Sequence, residues 1–161
     1  MAIQSVVEWK ETANRIGNAI GGLTDDQLDL RGGSEDWSIR ETIHHLVEAN
    51  LVASNMIVAA LAVDGYDYDW IWVNPNKSWL RRMGYDRADV NLALVALSAV
   101  CDYLGSLITA DPERLSRSVQ VNDVAGAPRY VLTVDKILKQ EIEHANEHLS
   151  DVRKIRDQYL L

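Results

Sequence analysis

The chain has 161 residues, with 16 Lys and Arg against 24 Asp and Glu, four His, one Cys and no Phe. Its formal charge of −8 argues against nucleic acid and anionic membranes as partners, because both are bound through clusters of basic side chains. The single cysteine, Cys101, excludes an internal disulfide and a thiolate zinc cage, and we expect it to be an inert buried thiol. The length predicts one domain over residues 1–161.

Four stretches show the hydrophobic spacing of amphipathic helices and predict an all-α fold, an antiparallel four-helix bundle. In chain order these predicted helices span residues 2–20, 39–63, 87–109 and 134–159. Ser38 and Glu41 have the spacing of a capping box at the start of the second helix, and Thr133 caps the fourth.

The connections between the predicted helices differ in length and composition. Residues 64–86 contain six of the eleven aromatic side chains and have no clean period, so we expect a long, aromatic-rich crossover between the second and third helices. This segment would line a substrate pocket, cover a bundle end or form a dimer seam. Residues 116–130 contain a glycine and a proline and predict a loop or a small hairpin.

The N-terminus lacks a basic region followed by an apolar one, so the sequence predicts no secretory signal. The longest apolar run, residues 51–63, is interrupted by Ser54 and Asn55 and is shorter than the roughly 18 residues of a membrane span. We therefore expect a soluble, cytoplasmic protein.

The four histidines form two clusters. His144 and His148 are four residues apart on the apolar side of their helix, so both rings can converge on one ion. A buried histidine more often bonds a carbonyl or carboxylate, but His45 on the second helix would supply a third ligand, and three ligands are typical of an exchangeable metal site. His44 falls in a polar stripe with Arg40, so we expect it to be solvated and outside the site.

Three of the carboxylates near these histidines in sequence are candidates for a supporting role. Glu141 is three residues before His144 on the same side of the helix, so it is the best candidate to orient an imidazole or accept a proton. Glu41 and Glu48 flank His45 and are weaker candidates, because surface carboxylates more often pair with basic side chains.

Two segments resemble motifs of the DinB and YfiT-like metalloprotein superfamily. Residues 37–46, WSIRETIHHL, are similar to its Trp-Ser/Thr-Val-Arg-Glu/Gln motif ending in His-Leu, and residues 144–148, HANEH, to its terminal His-x-x-x-His. The resemblance implies a divalent metal, commonly nickel or zinc, bound by His45, His144 and His148 at one end of an antiparallel bundle, often in a homodimer. It also implies relatives that are thiol transferases or isomerases using bacillithiol or mycothiol.

The first functional hypothesis is therefore a metal-dependent transferase or hydrolase whose ion activates water or a low-molecular-weight thiol for a small-molecule substrate. A second is a di-iron carboxylate bundle, because residues 41–44 and 141–144 both have the pattern Glu-x-x-His. Such a site also needs a carboxylate from each of the other two helices, which offer only Asp102, Glu8 or Glu11. A third is a non-enzymatic bundle that binds a metal or another ligand in a stress response.

Overall fold

The computed structural model describes residues 2–73 and 75–160. Over these ranges the chain forms seven α-helices and three strands. The helices are α1 (Ala2–Lys10), α2 (Thr12–Ile20), α3 (Asp25–Leu28), α4 (Ile39–Ala62), α5 (Lys77–Met83), α6 (Val90–Thr109) and α7 (Val134–Tyr159). The strands are β1 (Tyr66–Asp69), β2 (Ser118–Asn122) and β3 (Tyr130–Thr133).

The bundle is built from α1 and α2 together, α4, α6 and α7. The first predicted helix is divided at Glu11, but the backbone of Glu11 is right-handed helical, and hydrogen bonds from Glu11 N–H to Val7 and from Arg15 N–H to Glu11 continue across the break. α6 begins at Val90, after a 3₁₀ turn, because the Asp89 carboxylate caps it.

Two pairs of neighbouring helices run parallel, so the predicted antiparallel arrangement is only partly correct. α1–α2 and α7 start together at the Ser5–Asp135 hydrogen bond and end together where Arg156 donates to Ala19. α4 and α6 also start together, since Arg40 donates to the Ala88 carbonyl. By contrast, α4 and α7 run antiparallel: Tyr159 O–H, at the end of α7, donates to a carbonyl before α4.

The connection between α4 and α6 explains the parallel pair. It first forms β1, next to the end of α4, and then returns to the start of α4, where Lys77 pairs with Glu35 at 2.7 Å. A long connection that runs back along the bundle is what two parallel neighbouring helices require. The expected crossover over residues 64–86 therefore contains regular structure, namely β1, α5 and the start of a 3₁₀ turn.

A three-stranded sheet corrects the all-α prediction. β2 and β3 form an antiparallel hairpin, which confirms the hairpin that was one expectation for residues 116–130. β1 adds to β2 in parallel, with Tyr66 opposite Val119. β1 is only four residues long, and its partner lies far along the chain, so no local pattern in the sequence indicates the pairing. Val119, Val121 and Leu132 turn their side chains into the core.

A buried hydrogen bond joins α1 to α4 across the core. The indole N–H of Trp9 donates to the side-chain oxygen of Asn50 at 2.7 Å, and both residues are 0% exposed. Asn50→Ala should lower the free energy of unfolding by about 1–3 kcal/mol, because the indole N–H would stay buried without an acceptor. Urea denaturation measures this loss.

The matched control is Asn55→Ala on the same helix, where the amide bonds an α4 carbonyl in an exposed position. It should change the free energy of unfolding by less than about 0.5 kcal/mol. Equal losses in the two variants would contradict the role assigned to the buried bond.

α4 and α6 are both long and apolar enough to meet the composition of a membrane span. Core helices of soluble bundles pass the same test, and 56% of the most apolar part of α4 is buried, against 28% for α6. The outer face of α6 exposes Leu92, Val95 and Tyr103. Such a surface is suited to packing against a second copy, and the homodimer and the lack of a membrane partner stay predictions.

Candidate metal centre

The start of α4 determines where its histidine lies. The Ser38 hydroxyl accepts a hydrogen bond from Glu41 N–H, and the Glu41 carboxylate accepts one from Ser38 N–H at 2.8 Å, which is the capping box predicted from the sequence. Glu41 also pairs with Arg31 at 2.6 Å. Glu41 is therefore engaged in the helix cap, and His45 lies one turn further on.

The three histidines predicted as metal ligands lie side by side between α4 and α7. Nε2 of His45 is 3.2 Å from Nε2 of His144. The ring centroid of His148 is 5.1 Å from that of His45 and 4.7 Å from that of His144. One nitrogen from each ring belongs to a group whose members all lie within 4.8 Å of one another. The fold thus brings together residues separated by about 100 positions in the chain.

These distances suit three ligands of one divalent ion. Nitrogen ligands lie about 2.0–2.1 Å from zinc, so two of them at a tetrahedral angle are about 3.3 Å apart, close to the distance between His45 and His144. A hydrogen bond between those two rings would give the same spacing. It would not account for the position of the third ring, His148, beside both of them. Three nitrogen donors leave a coordination position for water or substrate.

A carboxylate lies behind two of the three rings. Glu48 Oε2 is 3.8 Å from Nδ1 of His45, and Glu141 Oε2 is 3.9 Å from Nδ1 of His144. Both carboxylate oxygens and Nδ1 of His45 are buried without a hydrogen-bond partner among the described residues. A histidine that binds metal through Nε2 carries its proton on Nδ1, and a nearby carboxylate favours that tautomer. The donor set and these orphaned atoms fit a bound ion.

The crossover holds Glu48 in place. The indole N–H of Trp79 donates to Glu48 Oε1 at 2.6 Å. Burial raises the pKa of Glu48, but the neighbouring His45 and hydrogen bonds from Trp79 and Tyr85 outweigh this effect, so the pKa lies below its usual value. The sequence ranked Glu48 below Glu141, and the geometry places them equally close to a histidine. No local signal links Glu48 to Trp79, because they meet only through the crossover.

Trp37 completes the walls of the histidine group. Its ring meets His45 edge to face at 4.7 Å and stacks on His148 at 5.8 Å. The sequence included Trp37 in the family motif but assigned it no task. Its contacts indicate that it limits the orientations open to two of the three rings.

The surroundings of His148 favour the neutral form of its ring. Burial, together with the neighbouring His144 and His45 rings, lowers its pKa to about 4. The ring is therefore neutral at pH 7, with a lone pair available to an ion. Metal binding requires this neutral form of imidazole.

The prediction that His44 is solvated is wrong. His44 is 8% exposed, and its ring stacks on Tyr85 at 5.2 Å. Arg40, expected on the same polar stripe, is 4% exposed and pairs with Asp25 and Asp29. Burial lowers the pKa of His44. The crossover and the segment before α4 cover this stripe, which helical periodicity alone does not reveal, while His44 stays outside the histidine group.

Within the described part of the chain, three cavities border the histidine group. The first, called the acidic cavity below, has a volume of about 280 Å³ and is lined by His45, Glu48, Ala49, Val52, Trp70, Val73, Pro75, Asp123, Glu141 and His144. The second has about 440 Å³ and borders His148 and Trp37. The third, of about 350 Å³, is lined by His144 alone among the three histidines. Small molecules therefore have room to approach the histidines from solvent.

Other candidate chemistry finds less support. Asp102, the carboxylate that α6 would offer to a di-iron site, is 61% exposed and pairs with Lys10 at 3.1 Å. Glu41, a second candidate ligand of such a site, is held in the cap of α4. Cys101 is 0% exposed, and burial, with the charges of Asp102 and Glu141, raises the pKa of its thiol to about 12. Such a thiol stays protonated, as expected of an inert buried cysteine.

Comparison with known proteins agrees with this fold. The family model described as the DinB superfamily matches residues 8–152, which include all three histidines. No match was found among curated proteins. Among solved structures, the fold is similar to that of YfiT from Bacillus subtilis, described as "a probable metal-dependent hydrolase with an unusual four-helix bundle topology".

The match to YfiT has a TM-score of 0.81 and 18% sequence identity, and it covers 98% of this chain and 87% of that chain. At this identity the similarity establishes the shared fold and leaves the activity open. The family match, in contrast, covers most of the chain, including both motifs seen in the sequence. The chain therefore belongs to the DinB superfamily.

Proposed function

We propose that this protein is a divalent-metal-dependent enzyme, a hydrolase in the first instance, with His45, His144 and His148 as the metal ligands. The observation that carries the proposal is the group of three imidazole nitrogens within 4.8 Å of one another, bordered by cavities open to a substrate. The description of YfiT as a probable metal-dependent hydrolase supports the same class of reaction.

The metal is proposed to be nickel or zinc. Imidazole nitrogen suits zinc, copper, iron and nickel, whereas magnesium and calcium prefer oxygen ligands. When bound, such an ion lowers the pKa of a coordinated water toward about 7 and polarises a substrate carbonyl.

The chain's own residues would orient the ligands and handle the proton. Glu48 and Glu141, whose carboxylates lie 3.8 and 3.9 Å from Nδ1 of His45 and His144, would favour the tautomer with the proton on Nδ1, which leaves both Nε2 atoms free as donors. Glu141 also lines the acidic cavity, which supports a role for its carboxylate in accepting a proton from a nucleophile beside His144. The apolar side chains of that cavity would exclude bulk water and strengthen electrostatic interactions within it.

A low-molecular-weight thiol is the second candidate nucleophile, because an open position beside three histidines suits a thiolate as well as water. Both reactions are assayed on the metal-loaded protein: hydrolysis of small esters and amides, and transfer of several thiols to a chlorinated aromatic. Absence of turnover in every assay would favour the non-enzymatic hypothesis of a metal- or ligand-binding bundle.

Glu141→Gln should lower the turnover number by about 100-fold or more, the usual effect of losing a general base, while the protein still binds close to its full content of metal. The matched control is Glu143→Gln, two residues away on the exposed side of α7, which should leave turnover unchanged. Turnover is measured beside the metal content of each variant. Equal rates in the two variants would contradict the role of Glu141.

A further inference from the structure

The lining of the acidic cavity combines apolar and acidic side chains. The apolar part consists of Ala49, Val52, Val73, Pro75 and Trp70. The sheet builds part of it: Asp69 at the end of β1 lies opposite Asn122 at the end of β2. Because parallel strands end at the same edge of a sheet, the next residues, Trp70 and Asp123, come together at the cavity.

The carboxylates in the lining have no basic side chain beside them. Glu48, Glu141 and Asp123 line the cavity, and its described lining contains no Lys or Arg. Glu48 and Glu141 lie behind the histidines, whereas Asp123 is exposed and accepts a hydrogen bond from the Tyr130 hydroxyl at 3.0 Å. Because Asp123 is exposed, it lies at the mouth of the cavity, where its carboxylate is open to solvent.

The negative charge persists when an ion is included. Three carboxylates and no basic side chain line the described part of the cavity, so the two positive charges of a divalent ion would not outnumber the acidic groups around it. The whole chain, at −8, adds a long-range field that attracts cations and repels anions.

We infer that the acidic cavity selects an organic cation, such as an amine or ammonium group on a small apolar body. The inference rests on the proposed function, because it makes this cavity the substrate site of the metal centre. The apolar body would pack against the valines and proline, the face of Trp70 would contact the cation, and Asp123 would pair with it.

The same charge distribution separates the two candidate reactions. A thiol that carries carboxylates would bring its negative charge into a cavity without a basic side chain to receive it. The cavity therefore favours hydrolysis of an amine-bearing substrate over transfer of an anionic thiol.

The test uses three probes of similar shape: benzyltrimethylammonium, benzyl alcohol and benzoate. Each is titrated into metal-free protein, and the indole N–H signal of Trp70, identified with Trp70→Phe, is followed by NMR. The quaternary ammonium has no lone pair for a metal, so the titration is then repeated with zinc. In both forms the cation should bind about fivefold or more tightly than benzyl alcohol, and in the metal-free form benzoate should bind most weakly.

Asp123→Asn should weaken binding of the cation by about threefold and leave benzyl alcohol unaffected. Asp151→Asn is the matched control: it removes the same charge, but Asp151 lines the cavity beside His148 and Trp37, so cation binding should not change. Benzoate binding as tightly as the cation to metal-free protein would overturn the inference. So would an unchanged affinity in Asp123→Asn, or no shift of the Trp70 signal with any probe.

The metal-free arm separates this inference from the function on which it rests. Loss of the cation preference would reject the substrate class while leaving the metal centre intact. Failure of the metal centre would appear in the metal content of the histidine variants, whatever the probes show.

Discussion

His148→Ala, purified without chelators, should contain close to no divalent metal, whereas the unmodified protein should contain about one ion per chain. The reason is geometric: His148 provides the third nitrogen of a group of three, and two remaining histidines hold a divalent ion far more weakly than three. Elemental analysis of both proteins, with nickel and zinc quantified separately, measures the difference and identifies the metal.

His44→Gln is the control for the loss of a buried histidine, since His44 stacks on Tyr85 outside the group. It should keep the full metal content. Circular dichroism of each variant shows that the helices are intact, so that loss of metal is not mistaken for loss of fold. Unchanged metal in His148→Ala would reject the assignment of the three histidines.

In metal-free protein, the free energy of unfolding should decrease as the pH is lowered from about 6.5 toward 4. Burial and the two neighbouring rings lower the pKa of His148 to about 4, against about 6.5 for an exposed histidine. Between these values the unfolded chain binds a proton that the native protein does not, so acid favours unfolding. Well above pH 6.5 the ring is neutral in both states and contributes nothing to the pH dependence.

Urea denaturation in chelator at pH 7, 6 and 5 measures this trend, and His148→Gln should show a smaller decrease than the unmodified protein. A residual slope is expected, because burial also lowers the pKa of His44. Stability that stays constant, or rises, as the pH falls over this range would contradict the environment assigned to His148.

Bound metal should add to the stability of the native state at neutral pH. At a free concentration 100 times the Kd, an ion that binds only the folded chain stabilises it by about 2.7 kcal/mol, which raises the Tm by about 5–10 °C for a chain of this size. This gain should also shrink as the pH falls, because protonated imidazole does not bind metal.

The sequence predicted the parts of the fold that depend on local chemistry. The capping box at Ser38 and Glu41 and the cap at Thr133 are present where their spacing indicated, since a cap needs only residues within one turn. The start of α6 was set three residues too early, because Asp89, the residue that caps it, was not recognised. Strand β1 was missed because its partner is distant in the chain and its own pattern is short.

The candidate site shows the same distinction between features predicted from local sequence and features decided by the tertiary structure. The spacing of His144 and His148 predicted two rings on one face of a helix, and the motif resemblance selected His45 over the adjacent His44. The tertiary structure decided the rest. The segment after α4 runs back along the bundle and brings Trp79 to Glu48, which it holds behind His45 by a hydrogen bond. His44 is buried because Tyr85 covers its ring.

The composition by itself determined what kind of ligand set this chain could offer: one cysteine, four histidines and an excess of acidic residues. It did not determine where the acidic side chains would lie, since a net charge contains no information about positions. Only the tertiary structure gathered Glu48, Asp123 and Glu141 from a helix, the end of a strand and a second helix around one cavity. Helical periodicity acts over a few residues, whereas the walls of a site are assembled by contacts between segments far apart in the chain.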